Sequence, residues 1–335
     1  FWRLAWVGMI LGWALPGAGV QAQPFAFPTD NRALLEAGGE SRFFAPTPGR
    51  TWSAGQFGCV RSDGWQMHEG VDILFTRRDR RGEPLDEVRA AAEGEVVYVS
   101  RKAALSNYGI YVVLRHRIEG LEVYTLYAHL REARGDLAPG RRVERGERLG
   151  VMGRTANTAS AIGKDRAHLH FEIDLFVNER FSVWLKQQDP KARDDHGPWN
   201  GRNLLGLDPA EVLRGGARRD FSLLRYVREQ EEMFAVLLAD TQFPWLKRYP
   251  MLIRRNPRAE SAGIVAYEAS MNYNGVPYRL IPRSRGEIEG AVSTRLLRVN
   301  EGEYRNHPCR KLVFKRGQSW VLTARGQELI SLLTH

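Results

Sequence analysis

Cysteine is scarce in this chain: Cys59 and Cys309 are the only two in 335 residues. Neither belongs to a CxxC pair, which excludes a cysteine-built zinc module. In an oxidising compartment two cysteines invite one disulfide, with a pair of buried thiols as the alternative. Long hydrophobic runs are scarce too. The only pronounced one, Leu4 to Leu15, is shorter than the roughly 20 residues a membrane helix needs. Internal repeats and low-complexity tracts are absent. Acidic residues are outnumbered, 39 against 49 basic ones, for a formal net charge of +10.

The apolar run follows Arg3 and gives way to Pro16, Gly17 and a small-residue stretch ending Val20-Gln21-Ala22. That order is expected of a secretory signal peptide over residues 1–22, and no stable membrane span is expected after its removal. The mature chain stays basic. For an exported protein the matching anionic partners are envelope polymers and lipid headgroups, not nucleic acid.

Residues 23–54, rich in Pro, Gly, Ala and Phe, read as an N-terminal extension packed on the next domain, with a short helix around Arg32 to Ala37. Residues 55–213 carry mostly strand signals. These are Gly94 to Ser100, Tyr108 to His116, Leu121 to His129, Arg148 to Met152 and Ala167 to Phe176, with a hairpin turn at Ile118-Glu119-Gly120. Along the last strand Ala167, Leu169, Phe171 and Ile173 share one face, and His168, His170, Glu172 and Asp174 the other. Gly215-Gly216 marks a boundary. Residues 216–335 read as a small α+β domain, with a helix over Phe221 to Leu238, strands near Gly263 to Ala269 and Val276 to Ile281, and a closing helix over Ala324 to Leu333. The expected architecture is a mainly β, antiparallel domain plus this smaller unit.

The chemistry concentrates in three segments, MHEGVD, TLYAHL and AHLHFEID. His68, Asp72, His129, His168 and His170 together can supply a three-ligand zinc site, open to water, with two histidines to spare. Because His168 and His170 leave the same strand face, one can bind metal while the other stands beside it. Such a centre suits hydrolysis: the metal acidifies water and polarises a carbonyl, and a neutral histidine accepts the proton.

His68-Glu-Gly-Val-Asp72, Tyr127-Ala-His129-Leu and His168-Leu-His170-Phe-Glu resemble the signature segments of lysostaphin-type zinc endopeptidases. Supporting flanks are Phe57-Gly58, Val88 to Val97, Asn107-Tyr-Gly109, Pro139-Gly140 and Leu207-Asp208-Pro209, so the likeness covers about residues 55 to 213. It implies one Zn2+ held by His68, Asp72 and His170, with His129 and His168 as unliganded catalytic histidines. It also implies an antiparallel β fold with a groove and hydrolysis of peptide bonds in peptidoglycan stems or cross-links. Other anionic envelope polymers are further candidate partners. The alternative is a non-catalytic envelope factor of the same fold that binds peptidoglycan or activates another hydrolase.

Arg61 and Asn107 are candidate substrate contacts, with a structural salt bridge and a turn position as their respective equal alternatives. Glu172 is a candidate to hold a ligand from behind. The sequence departs from the family pattern in a longer, charged stretch at Ser160 to Ala167 and in an insertion over residues 76–87. Both are expected to shape the groove.

Overall fold

The computed structural model describes residues 24–157 and 162–335. The expected signal peptide over 1–22 lies outside the described residues, as do Ser160 and Ala161 of the charged loop. Among the described residues no helix is long and apolar enough to cross a membrane.

The molecule is mainly β and its strand pairings are antiparallel. Strands β1 (Gly58–Arg61) and β2 (Gln66–His68) form a ribbon that leads into a nine-stranded sheet. That sheet contains β3 (Val71–Leu74), β4 (Glu87–Arg89), β5 (Gly94–Ser100), β6 (Ile110–Ile118), β7 (Leu121–Ala133), β8 (Arg142–Val143), β9 (Arg148–Met152), β10 (His168–Phe176) and β11 (Leu204–Leu207). Its order is β11-β10-β7-β6-β5-β8, with β3 also paired to β10 and β9 joining β7 to β4. The β6–β7 hairpin turns on Glu119 and Gly120, whose φ values of 51° and 80° match the twist a two-residue loop must supply.

Both faces of this sheet are covered. Val112, Leu114, Val123, Leu169, Phe171 and Ile173 enter the main apolar core. Tyr111, Val113, Tyr124, Leu126 and Phe176 form a second cluster on the opposite face. The alternation expected along β10 is therefore present, but its polar face is not solvated: every residue from His168 to Phe176 is buried. Four polar side chains in that position demand partners, and the site is built from three of them.

Residues 24–54 pack on the edge of β3. Asn31 donates to the Leu74 carbonyl at 3.0 Å and the Ala45 N–H to the Asp72 carbonyl at 2.8 Å, with Phe43 and Phe44 fully buried. Their short helical turns fall at Ala33–Leu35 and Glu40–Phe43.

A four-stranded sheet of β12 (Phe234–Leu238), β13 (Ile264–Met271), β14 (Pro277–Ser284) and β15 (Arg295–Val299) follows in the order β14-β13-β12-β15. The hairpin of β16 (Val313–Arg316) and β17 (Ser319–Leu322) and the helix Ala324–Thr334 complete the chain. One expectation fails here. The helix read over Phe221 to Leu238 stops at Arg228, and Phe234–Leu238 is a strand between β13 and β15. All five of its residues are buried. A short apolar run covered on both sides carries no period that separates helix from strand.

Candidate metal centre and active groove

His68 ends β2, Asp72 lies in β3 and His170 in β10, and the pairing of Asp72 with His170 brings the ligand strands into register. The intervening Gly70 has a physical reason. A Cβ there would collide with the Phe171 carbonyl oxygen and sit 2.8 Å from Glu172 Cγ, so only glycine lets β3 pass this close to β10.

The donor atoms form a tight triangle. His68 Nε2 is 3.1 Å from Asp72 Oδ1 and 3.1 Å from His170 Nδ1, and the last two are 2.9 Å apart. A tetrahedral ion with bonds of about 2.0 Å requires ligand separations of about 3.3 Å. The set of two imidazoles and one carboxylate fits a borderline divalent cation, and the three residues can hold a metal.

Each candidate ligand is also gripped on its far side. His68 Nδ1 donates to the Gln56 carbonyl at 2.6 Å, Arg61 donates to Asp72 Oδ2 at 2.6 Å, and His170 Nε2 meets Glu172 Oε1 at 2.7 Å. Tyr108 donates to the same Glu172 oxygen at 2.7 Å. Such partners fix ring orientation and raise ligand basicity.

Charge follows geometry. Burial alone would raise the Asp72 carboxyl, but His68 and His168 beside it and hydrogen bonds from His170 and His68 hold it well below the usual carboxylate range. Burial opposes a charge on His170, yet hydrogen bonds to Asp72 and Glu172 push it up to about 9. Around His170 the Asp72 and Glu172 carboxylates favour positive charge.

His168 and His129 stand beside this cluster. Their rings are 4.9 Å apart, and His129 lies 5.8 Å from the His170 ring. His168 Nδ1 donates to the Arg166 carbonyl at 2.6 Å, and His129 Nδ1 to the Thr155 carbonyl at 2.8 Å. Because a carbonyl only accepts, each ring carries its proton on Nδ1 and leaves Nε2 a free acceptor. Burial lowers both imidazoles, and for His129 the neighbouring His168 and His170 lower it further, well below the usual histidine range.

His129 reaches this place through a bulge. Leu121, Val123 and Tyr127 of β7 face the main core, so strict alternation would bury His129 there too. Instead His129 takes φ 60°, and Ala128 and His129 together oppose the single position between Ile110 and Val112. The extra residue turns His129 toward the groove and returns Leu130 to the core.

The histidines and Asp72 line a cavity of about 920 Å3 shared with Tyr108, Asn107, Arg61, Arg166 and His196. Asn107 is exposed at its rim, inside the turn closed by the Gly109 N–H to the Ser106 carbonyl. Arg61 faces the cavity but spends its guanidinium on Asp72, the salt-bridge alternative. The two unusual loops clasp each other: Lys164 donates to the Arg81 carbonyl at 2.9 Å and pairs with Glu83 at 3.6 Å. Sequence reasoning missed Tyr108 as a partner of Glu172 and the Gln56 carbonyl behind His68. It also missed the residues 309–332 that line the cavity from the far end of the chain.

An antiparallel β groove over two imidazoles and a carboxylate defines a metallopeptidase-like site. Comparison points to a class: residues 66–181 match peptidase family M23. Among solved structures the chain is similar to a zinc-containing peptidase from Vibrio cholerae, with 25% identity over 40% of this chain and 30% of that one, at a TM-score of 0.24. It is also similar to the catalytic domain of the antimicrobial peptidase lysostaphin from Staphylococcus simulans, with 20% identity over 48% of this chain and 87% of that one, at a TM-score of 0.29. The chain thus spans under a third of the Vibrio cholerae protein's length. No curated protein matches it.

Proposed function

We propose that this protein is an exported zinc metallo-endopeptidase that hydrolyses peptide bonds in peptidoglycan stems or cross-links. The observation that carries the reading is the triangle of His68, Asp72 and His170 donors next to the buried His168 and the half-buried His129, both with free Nε2 atoms. One Zn2+ held by that triangle would supply a Lewis acid and water of lowered pKa.

The chain's own residues do the rest. His168 Nε2, 3.5 Å from Asp72 Oδ1, is placed to take the proton of the attacking water and pass it to the leaving amine. His129, set on its bulge, faces the same reacting centre, where its unprotonated Nε2 can accept from the attacking water. Arg61 and Glu172 position Asp72 and His170, and Asn107 at the rim contacts the peptide. Residues 55–213 form the peptidase unit in this reading and 216–335 a second unit. The disulfide between Cys59 and Cys309 supports an oxidising, extracytoplasmic location such as the periplasm or cell envelope.

The test combines metal analysis with digestion of purified sacculi. His68→Ala and Asp72→Ala are expected to lose zinc. His168→Ala is expected to keep zinc and lose about 10²–10⁴-fold in peptide release, the usual worth of a general base. A wild-type protein that binds zinc but releases no peptide would move the assignment to a peptidoglycan-binding factor.

A further inference from the structure

The C-terminal segment is fastened to the groove at both ends. Cys309 is disulfide-bonded to Cys59 in β1, next to Gly58, which pairs with the ligand His68. The helix Ala324–Thr334 docks on the opposite side, where Asn178 donates to the Leu332 carbonyl at 2.9 Å and Trp184 to Ser331 at 3.0 Å. Between these anchors Arg310, Lys311 and Arg325 line the same cavity as the metal-site residues.

The charges of that cavity do not balance. Arg61 is paired with Asp72 and Arg202 with Glu328. Arg166, Arg310, Lys311 and Arg325 remain, against Glu69, and among the described residues none of the four has a carboxylate within ion-pair distance. Arg166 donates to the Pro46 carbonyl and Lys311 lies over the Trp65 ring. Arg310 differs. It is half-buried, and its Nε is shielded from solvent without a hydrogen-bond partner. A guanidinium partly removed from water with nothing to bind is costly, and its planar fork is matched by a carboxylate.

We propose that Arg310 is the specificity-determining residue of the groove and receives a free carboxylate of the peptide substrate. Lys311, Arg325 and Arg166 supply the surrounding positive field. The second unit thereby becomes part of the substrate site. This rests on the reading of the groove as a peptide site, and it adds the chemical class: a peptide bearing an ionised carboxylate near the bond to be cut.

The experiment compares native sacculi with sacculi whose carboxylates have been converted to amides. Binding of the full, oxidised chain is measured by co-sedimentation in a His168→Ala background, so that the polymer survives. Arg310→Gln is expected to weaken binding to native sacculi by about tenfold or more, the worth of a hydrogen bond to a charged group. The exposed Arg258→Gln, which removes the same charge, should stay within about twofold. Arg310→Lys should keep an intermediate affinity, and binding to amidated sacculi should be weak and indifferent to Arg310. Equal effects of Arg310→Gln and Arg258→Gln, or equal binding of both polymers, would overturn the proposal. Peptide release by the wild type is scored separately. Release without an Arg310 contrast removes the carboxylate site alone, and an Arg310 contrast without release removes the peptidase reading alone.

Discussion

His116 lies away from the metal centre and offers a test of how the sheet is held together. Its Nδ1 donates to the Glu93 carbonyl at 2.7 Å, and its Nε2 is 2.7 Å from the Thr125 hydroxyl. Thr125 is 3.0 Å from the Tyr127 hydroxyl, which accepts from the Ala91 N–H at 2.8 Å. Thr125 donates to the Tyr127 hydroxyl, and the His116 ring, buried between the Glu93 carbonyl and Thr125, has little water to stabilise a charge.

Burial accordingly pushes His116 down to about 4, against the help of the Glu93 carbonyl. In the unfolded chain the ring titrates near 6.5, so between those values the unfolded state holds the extra proton and stability rises with pH. The contribution is complete above about 6.5 and lost as pH falls to about 4; 2.5 units at 1.36 kcal/mol each give about 3 kcal/mol. Urea unfolding of wild type and His116→Gln between pH 4 and 7.5 isolates the effect, because other titrations cancel in the difference. The stability advantage of wild type should shrink by about 3 kcal/mol toward pH 4. A difference that is flat within about 0.5 kcal/mol would refute the reasoning.

Three other outcomes follow from the geometry. Gly70→Ala should push β3 off the Phe171 carbonyl and sharply reduce zinc retention, read by metal content after dialysis. Arg61→Met frees Asp72 Oδ2 and should weaken zinc binding by about 10–100-fold in chelator competition, the usual cost of losing a partner behind a ligand. Replacing Cys59 and Cys309 together by Ser opens a loop of 250 residues, for a chain-entropy loss of up to about 5 kcal/mol in urea unfolding.

What could be read from the sequence was what is local. The strand phase of β10 separates Leu169, Phe171 and Ile173 from His168, His170 and Glu172 in residues alone, and the structure keeps that division. Glu172 as a support for His170 followed from the same phase. The placement of His129 was not local. Alternation along β7 argues for the core, and only pairing with β6 reveals the bulge. Phe234–Leu238 failed because a strand covered on both faces has no period. The wall at 309–332 could not be seen because it depends on contacts more than 100 residues away in the chain, such as Asn178 with Leu332. Arg61 had two readings of equal standing, and its partner Asp72 became visible only once β1 was laid beside β2.

The bond between Cys59 and Cys309 has a topological consequence. Residues 59 to 309 form a covalent ring that contains the metal-site strands, the loops at 76–87 and 162–167, and both sheets. A single cut by a foreign protease in an exposed loop of that ring linearises it without splitting the molecule. Both sides of the groove stay tethered, so one nick does not release the helix Ala324–Thr334. Attacked anywhere between residues 59 and 309, this chain must be cut twice, or reduced first, before it comes apart.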